Sequence, residues 1–200
     1  MASMTQRAFA LTYDYLCPFA RIVNETTVEA LEAGAPWQVR FRPFSLSQGH
    51  VEPGAAPVWD RPAGAPETRG VRALLWSVAV RDRFPDAFGR FHVTLYSARH
   101  DEGRDVDDPA VLEDACRAAS VDPGVVAELV EEGTPRRTLA REHTEAVERW
   151  AIFGVPTIVA ADDAVFVRLM ERHDVAALER VLDLVHRHEI NEFKRTRIPR

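Results

Sequence analysis

The stretch Arg7-Ala8-Phe9-Ala10-Leu11-Thr12-Tyr13-Asp14-Tyr15-Leu16-Cys17-Pro18-Phe19-Ala20 decides how this chain folds. Arg7 to Tyr13 is a short apolar run rich in strand formers, long enough for one buried strand. It breaks at Asp14-Tyr15-Leu16-Cys17, and from Pro18 the spacing turns helical, with Phe19, Ile22, Val23, Val28 and Leu31 on one stripe. Proline suits the first position of a helix, where its missing N–H has no partner to lose. Gly34 and Pro36 stop the helix. Trp37, Val39 and Phe41 then alternate with Gln38, Arg40 and Arg42 as a second strand that Pro43 ends. Strand, helix and strand make a βαβ unit, for which a right-handed crossover is expected.

Outward from this unit, residues 45–67 carry Gly49, Pro53, Gly54, Pro57, Pro62, Gly64 and Pro66, a density that no regular element tolerates. A loop of this length is expected to lie over a site or an interface. Helical periodicity runs from Thr68 to about Trp150, and Pro85, Pro109, Pro123 and Pro135 each stand where a helix could begin, which predicts four or five helices. Strand signals return at Val155–Ala160 and Ala164–Leu169 around the polar turn Ala161-Asp162-Asp163. A last helix follows Asp174, its expected N-cap by residue type, with Val175, Leu178, Val181, Leu182 and Val185 on one face. The expected architecture is α/β, in the order β-α-β, helical insertion, β-β-α. Residues 1–66 and 151–200 form the sheet-containing part and 67–150 the insertion.

Composition narrows the function. The chain has 200 residues, 46% hydrophobic and 28% charged, with a formal net charge of -6, which argues against a disordered, fibrous or nucleic-acid-coating protein. The two cysteines, Cys17 and Cys116, exclude a disulfide framework and an all-cysteine metal cluster. Seven histidines stand at no recognised ligand spacing, so no metal is expected; His50 is singled out only because it lies in the long loop. Met1 to Phe9 lacks the pattern of a secretory leader, and no long apolar segment occurs, so the expectation is a cytoplasmic protein without membrane or nucleic-acid partners. The basic residues Arg187, Lys194, Arg195, Arg197 and Arg200, against Glu189 and Glu192, give a basic tail expected to dock on its own domain or across an oligomer interface. Dimerisation through the helical block is an open expectation.

This element order, interrupted by helices, resembles the thioredoxin fold with the helical insertion of the DsbA-like family. Cys17-Pro18-Phe19-Ala20 falls where that family has Cys-Pro-x-Cys, and Gly154-Val155-Pro156-Thr157 where it carries a cis-proline. Asp14-x-x-Cys17-Pro18, Phe44-Ser45-Leu46, Val71-Arg72-Ala73, Leu95-Tyr96 and Phe193-Lys194-Arg195-Thr196-Arg197 look like the DsbA-related proteins of mycothiol-using bacteria, including the mycothiol-dependent nitroreductases. Two departures stand out. Ala20 occupies the place of the second cysteine, so no disulfide can close within the motif. Phe166-Val167-Arg168-Leu169 puts an arginine near the site, where the branch tends to have Phe-x-Gly-Pro.

The chemistry centres on Cys17. A helix N-terminus favours a thiolate through its unpaired amides and dipole, and Asp14 opposes it by proximity; the balance predicts a depressed pKa. The resemblance implies that a cis Pro156 leaves the Val155 backbone open to pair with a thiol substrate, and Thr157 would then lie near enough to donate to the thiolate. Pro18 and Phe19 complete the expected thiol- or substrate-binding set with Val155, Pro156 and Thr157, while Tyr15, Trp59 and Trp76 are candidates for an apolar wall. Cys116 reads as core packing. The leading expectation is a monothiol thiol–disulfide oxidoreductase with no tightly bound cofactor. Its cosubstrate is a low-molecular-weight thiol, mycothiol or glutathione, and it acts on small electrophiles or mixed disulfides. Two alternatives remain: a relative of kappa-class glutathione transferase or 2-hydroxychromene-2-carboxylate isomerase, and a catalytically silent binding protein.

Overall fold

A computed structural model describes residues 6–62, 64–161 and 163–187. Among these residues, seven α-helices and four strands are arranged as β1 (Arg7–Tyr13), α1 (Pro18–Glu32), β2 (Trp37–Pro43), α2 (Val71–Arg83), α3 (Pro85–His100), α4 (Pro109–Ala118), α5 (Pro123–Glu131), α6 (Thr134–Trp150), β3 (Thr157–Ala160), β4 (Asp163–Phe166) and α7 (Val175–Arg187). The sheet order is β2-β1-β3-β4. β1 runs parallel to β2 from Arg7 opposite Trp37 to Tyr13 opposite Pro43, and β3 is antiparallel to both β1 and β4. α1 packs on β1 and α7, and α7 on β3, while α6 lies against β2 and α2. This is a thioredoxin-like α/β fold with a helical insertion, α2–α6, between β2 and β3.

The helix starts follow local chemistry. Asp108 and Asp122 cap α4 and α5 by accepting from Ala110 and Gly124 amides, and a proline follows each at the first helical position. Ala177 N–H donates to Asp174 Oδ1, the cap expected for the last helix. The strands after the insertion are shorter than their apolar runs. β3 starts at Thr157, after Pro156, which has no N–H for a ladder, although Val167 N–H still donates to Pro156 O at 3.0 Å. The long loop is not structureless: three 3₁₀ turns, Ser47–His50, Val58–Asp60 and Pro66–Thr68, run through it. The second buries Val58 and Trp59, and Trp59 meets His143 of α6 at 5.3 Å between ring centres. The basic tail from His188 onward, with its Phe193-Lys194-Arg195-Thr196-Arg197 motif, lies outside the described residues, as does Asp162 of the polar turn.

One hydrophobic core spans sheet and insertion. Where α3 meets β1, it holds an aromatic cluster of Tyr13, Tyr15, Phe41, Phe88, His92 and Tyr96. His92 is fully buried between the Tyr15 hydroxyl at 2.8 Å from Nδ1 and Asn24 Oδ1 at 3.0 Å from Nε2. Since Asn24 Nδ2 donates to Ala20 O, its Oδ1 faces His92 and accepts from Nε2–H, which leaves Nδ1 to accept from Tyr15. His143 sits under Phe44 and Trp59 and accepts from Ser45 N–H.

Burial keeps both histidines neutral, His92 lowered to about 3 and His143 to about 4. An unfolded histidine takes its proton near pH 6.5. Below that pH the unfolded chain binds more protons than the folded one, so stability falls as pH drops toward 4. Asp14, raised to about 6 by burial, acts in the opposite sense, taking up its proton earlier in the folded chain and offsetting part of the loss between pH 6 and 3.8. Urea unfolding at pH 5 is expected to give a stability lower than at pH 7 by about 2–3 kcal/mol. Equal values at the two pH points would contradict two buried neutral histidines.

Candidate active site

Cys17 caps α1. Its backbone is extended (φ -93°, ψ 117°), and its Sγ accepts the Ala20 N–H at 3.4 Å, the place a serine or aspartate hydroxyl or carboxylate oxygen takes at other helix starts. The thiol in turn donates to Val155 O, also at 3.4 Å. Val155 precedes Pro156 through a cis peptide bond. Cys17 is half-buried and Pro18 exposed, whereas Ala20 is fully buried and leaves the thiol without a partner sulfur in its own turn.

The turn that presents Cys17 is fastened from below. Asp14 is fully buried; its Oδ1 accepts from Leu16 N–H at 2.9 Å and its Oδ2 from Leu46 N–H at 2.8 Å. Cys17 N–H closes the turn on Asp14 O at 3.2 Å. Tyr96 hydroxyl donates to Asp14 O, and His100 Nε2–H to Tyr15 O. From Tyr15 a chain of hydrogen bonds runs through His92 and Asn24 to Ala20 O, so the strand end and the first turn of α1 are tied to α3 together. Gly70 closes the far side with φ +81°, and a Cβ there would come within 3.0 Å of Leu16. Glycine alone suits both conditions.

Electrostatics at the thiol differ from the expected depression. Burial pushes the Cys17 thiol above its ordinary value; the Ala20 and Phe19 amides lower it, Asp14 raises it, and Arg168 lowers it. The helix amides are present, but the half-buried sulfur loses more hydration than they return. The resting group is therefore a thiol, in keeping with its donation to Val155 O.

The structure brings Cys17, Pro18, Phe19, Val155 and Pro156 together and corrects the role expected of Thr157. Its hydroxyl donates to Gly154 O at 2.8 Å and its N–H to Thr12 Oγ1, so it is held in the strand start and not aimed at the sulfur. Tyr15, Trp59 and Trp76 are buried core residues and form no open wall. His50 is exposed. Cys116, on α4, is fully buried and its thiol is pushed up to about 12 by burial. Among the described residues no three His, Cys, Asp or Glu side chains converge as a metal site, and no helix is long and apolar enough to cross a membrane. Sequence reasoning missed His92 and Asn24 and quoted Tyr96 only as part of the resemblance. Their signal was available: His92 lies four residues after Phe88 and four before Tyr96, on the buried stripe of α3. On the exposed side, Phe153 is 77% accessible and packs on Phe166, and the Arg168 guanidinium lies over the Phe19 ring.

The model of the DSBA-like thioredoxin domain matches residues 11–183. Among solved structures, a candidate protein disulfide isomerase from Nitrosomonas europaea superposes with a TM-score of 0.63 at 14% identity, covering 92% of this chain and 100% of that one. A 2-hydroxychromene-2-carboxylate isomerase gives 0.60 at 15% identity over 90% and 97%. Oxidised BdbD from Bacillus subtilis gives 0.58 at 16% identity over 88% and 85%. At such identities the likeness speaks to the fold. No curated protein sequence matches the chain.

The raised thiol and the nearby carboxylate predict a reactivity profile. Alkylation of Cys17 by iodoacetamide, followed by intact mass, is expected to climb with pH past the ordinary thiol range. Asp14→Asn removes the opposing charge and is expected to speed alkylation at pH 7. A plateau already reached below pH 7 would show that the helix amides outweigh burial.

Proposed function

Because the chain belongs to the DSBA-like thioredoxin domain family, we propose that it is a thiol–disulfide oxidoreductase working with one protein thiol, Cys17, and a low-molecular-weight thiol in place of the second cysteine. The observation that carries this reading is a half-buried, capping cysteine held between Ala20 N–H and Val155 O, with a buried alanine where a resolving cysteine would stand.

In this scheme Cys17 loses its proton to solvent as the substrate arrives, and the S–H···O bond to Val155 is lost with it. Ala20 N–H stays on the sulfur and supports the thiolate. Val155 O is released to accept from the backbone amide of a peptide-like thiol substrate. The thiolate attacks a disulfide RS–SR′ along the S–S axis, forming Cys17–S–SR and expelling R′S⁻, which takes up a proton. A low-molecular-weight thiol, R″SH, attacks as its thiolate, forms RS–SR″ and returns Cys17. The net reaction is a disulfide exchange, with no external oxidant or reductant. Mycothiol is the cosubstrate that the sequence resemblance favours, with glutathione as the other choice, and the substrates are small mixed disulfides or electrophiles. The same reading puts the protein in the cytoplasm, where such thiols are kept reduced.

A second reading has an observation of its own. The protonated resting thiol and the likeness to a 2-hydroxychromene-2-carboxylate isomerase suit a site in which the N-terminus of α1 activates a bound thiol cofactor while Cys17 itself never cycles.

Cys17→Ser separates the two. The exchange reading expects turnover of a mixed disulfide with mycothiol or glutathione to fall by at least about a hundredfold, because a hydroxyl cannot form the mixed disulfide; retained turnover supports the isomerase-like reading. Ala20→Cys is the converse test. It is expected to close a disulfide with Cys17, seen as a mass loss of two hydrogens, and to make exchange less dependent on added small thiol. Mass spectrometry of protein isolated from its host without reductant is expected to find the small thiol on Cys17.

A further inference from the structure

Arg168 lies just beyond β4, exposed to solvent. Its guanidinium carbon is 4.6 Å from the centre of the Phe19 ring and 5.1 Å from that of Phe166. Phe19 is in the first turn of α1, two residues after Cys17, and Phe166 extends the aromatic surface to Phe153 at 5.2 Å. Other arginines of this chain have carboxylate partners: Arg7 pairs with Asp183, Arg42 with Glu145, Arg81 with Glu142 and Arg172 with Glu25. Among the described residues the contacts of Arg168 are these two rings, and no carboxylate is paired with it. A guanidinium seated on two rings is confined there, while the N–H donors on its edges remain turned to the solvent. Such an edge matches a carboxylate in two parallel hydrogen bonds. Its charge is also felt at the sulfur, where it favours the thiolate.

Resting on the exchange reading above, we propose that Arg168, steadied on Phe19 and Phe166, recognises a carboxylate carried by the disulfide that Cys17 attacks. The substrate class is then an anionic disulfide whose charged group lies a few bonds from its sulfur, near enough to reach Arg168 while Cys17 meets the sulfur. Phe153 and Phe166 offer ring faces to an aromatic or other flat substituent on the same molecule.

Two model disulfides test this with the full chain at pH 7.5. One is 5,5′-dithiobis(2-nitrobenzoate), aromatic with a carboxylate on each ring; the other is 4,4′-dithiodipyridine, aromatic and uncharged. Second-order rates are followed by release of the chromophoric thiol, with Cys17→Ser giving the background that includes Cys116. In Arg168→Gln the rate with the carboxylate probe is expected to fall about tenfold more than the rate with the neutral probe, and raised salt is expected to shrink the difference in the parent chain. Equal falls with both probes would overturn the inference, since Arg168 would then act on the ionisation of Cys17 alone. No change with either probe would overturn it too. If Cys17 of the parent chain reacts with neither probe, the exchange reading itself fails, a result distinct from loss of charge preference.

Discussion

A carboxylate with no exposure to water sets the geometry of this protein. Asp14 accepts amide hydrogens from Leu16, in the turn before α1, and from Leu46, at the start of the long loop after β2. Burial raises its pKa to about 6 against the pull of those two amides, so the arrangement is held at an electrostatic cost that the rest of the structure has to bear. The return is a fixed turn. With Asp14 O bonded to Cys17 N–H and Tyr96 hydroxyl, the chain has little freedom in how it delivers its sulfur to the helix start.

The insertion contributes to that turn as much as the sheet does. Tyr15 is held through its hydroxyl by His92 and through its carbonyl by His100, both on α3, and Gly70 ahead of α2 closes over Leu16. The helical block is therefore a wall of the site's foundation and not a lid added to a finished domain. Its aromatic and histidine cluster is buried and hydrogen-bonded, and such networks favour a single arrangement when every member is satisfied. Cys17 can remain half-exposed because the residues directly before it are fixed.

Much of this was legible in the chain. The apolar run Arg7–Tyr13, the proline at the first position of α1 and the prolines that open later helices gave the element order, because each acts through its neighbours alone. Cys17, Pro18, Val155 and Pro156 were legible as a group only through resemblance, since nothing in local spacing joins residues so far apart. The order within the long loop is not legible in its composition: a proline-rich stretch can run through successive 3₁₀ turns, and the burial of Trp59 against His143 depends on α6. A role for Thr157 at the sulfur is expected from its position alone, and the donation of its hydroxyl to Gly154 O forecloses it.

The sequence by itself determined the order of the elements, the single cysteine at a helix start and the alanine that replaces its partner. Tertiary structure decided the state of that cysteine. Helix amides acting alone predict a depressed thiol, but the sulfur also lies beneath Val155 and near Asp14, and the hydration it loses there outweighs the amides. It likewise brought Arg168 onto Phe19, two residues far apart in the chain. Desolvation and approach of this kind depend on which surfaces are packed together, and periodicity and local spacing carry no record of them.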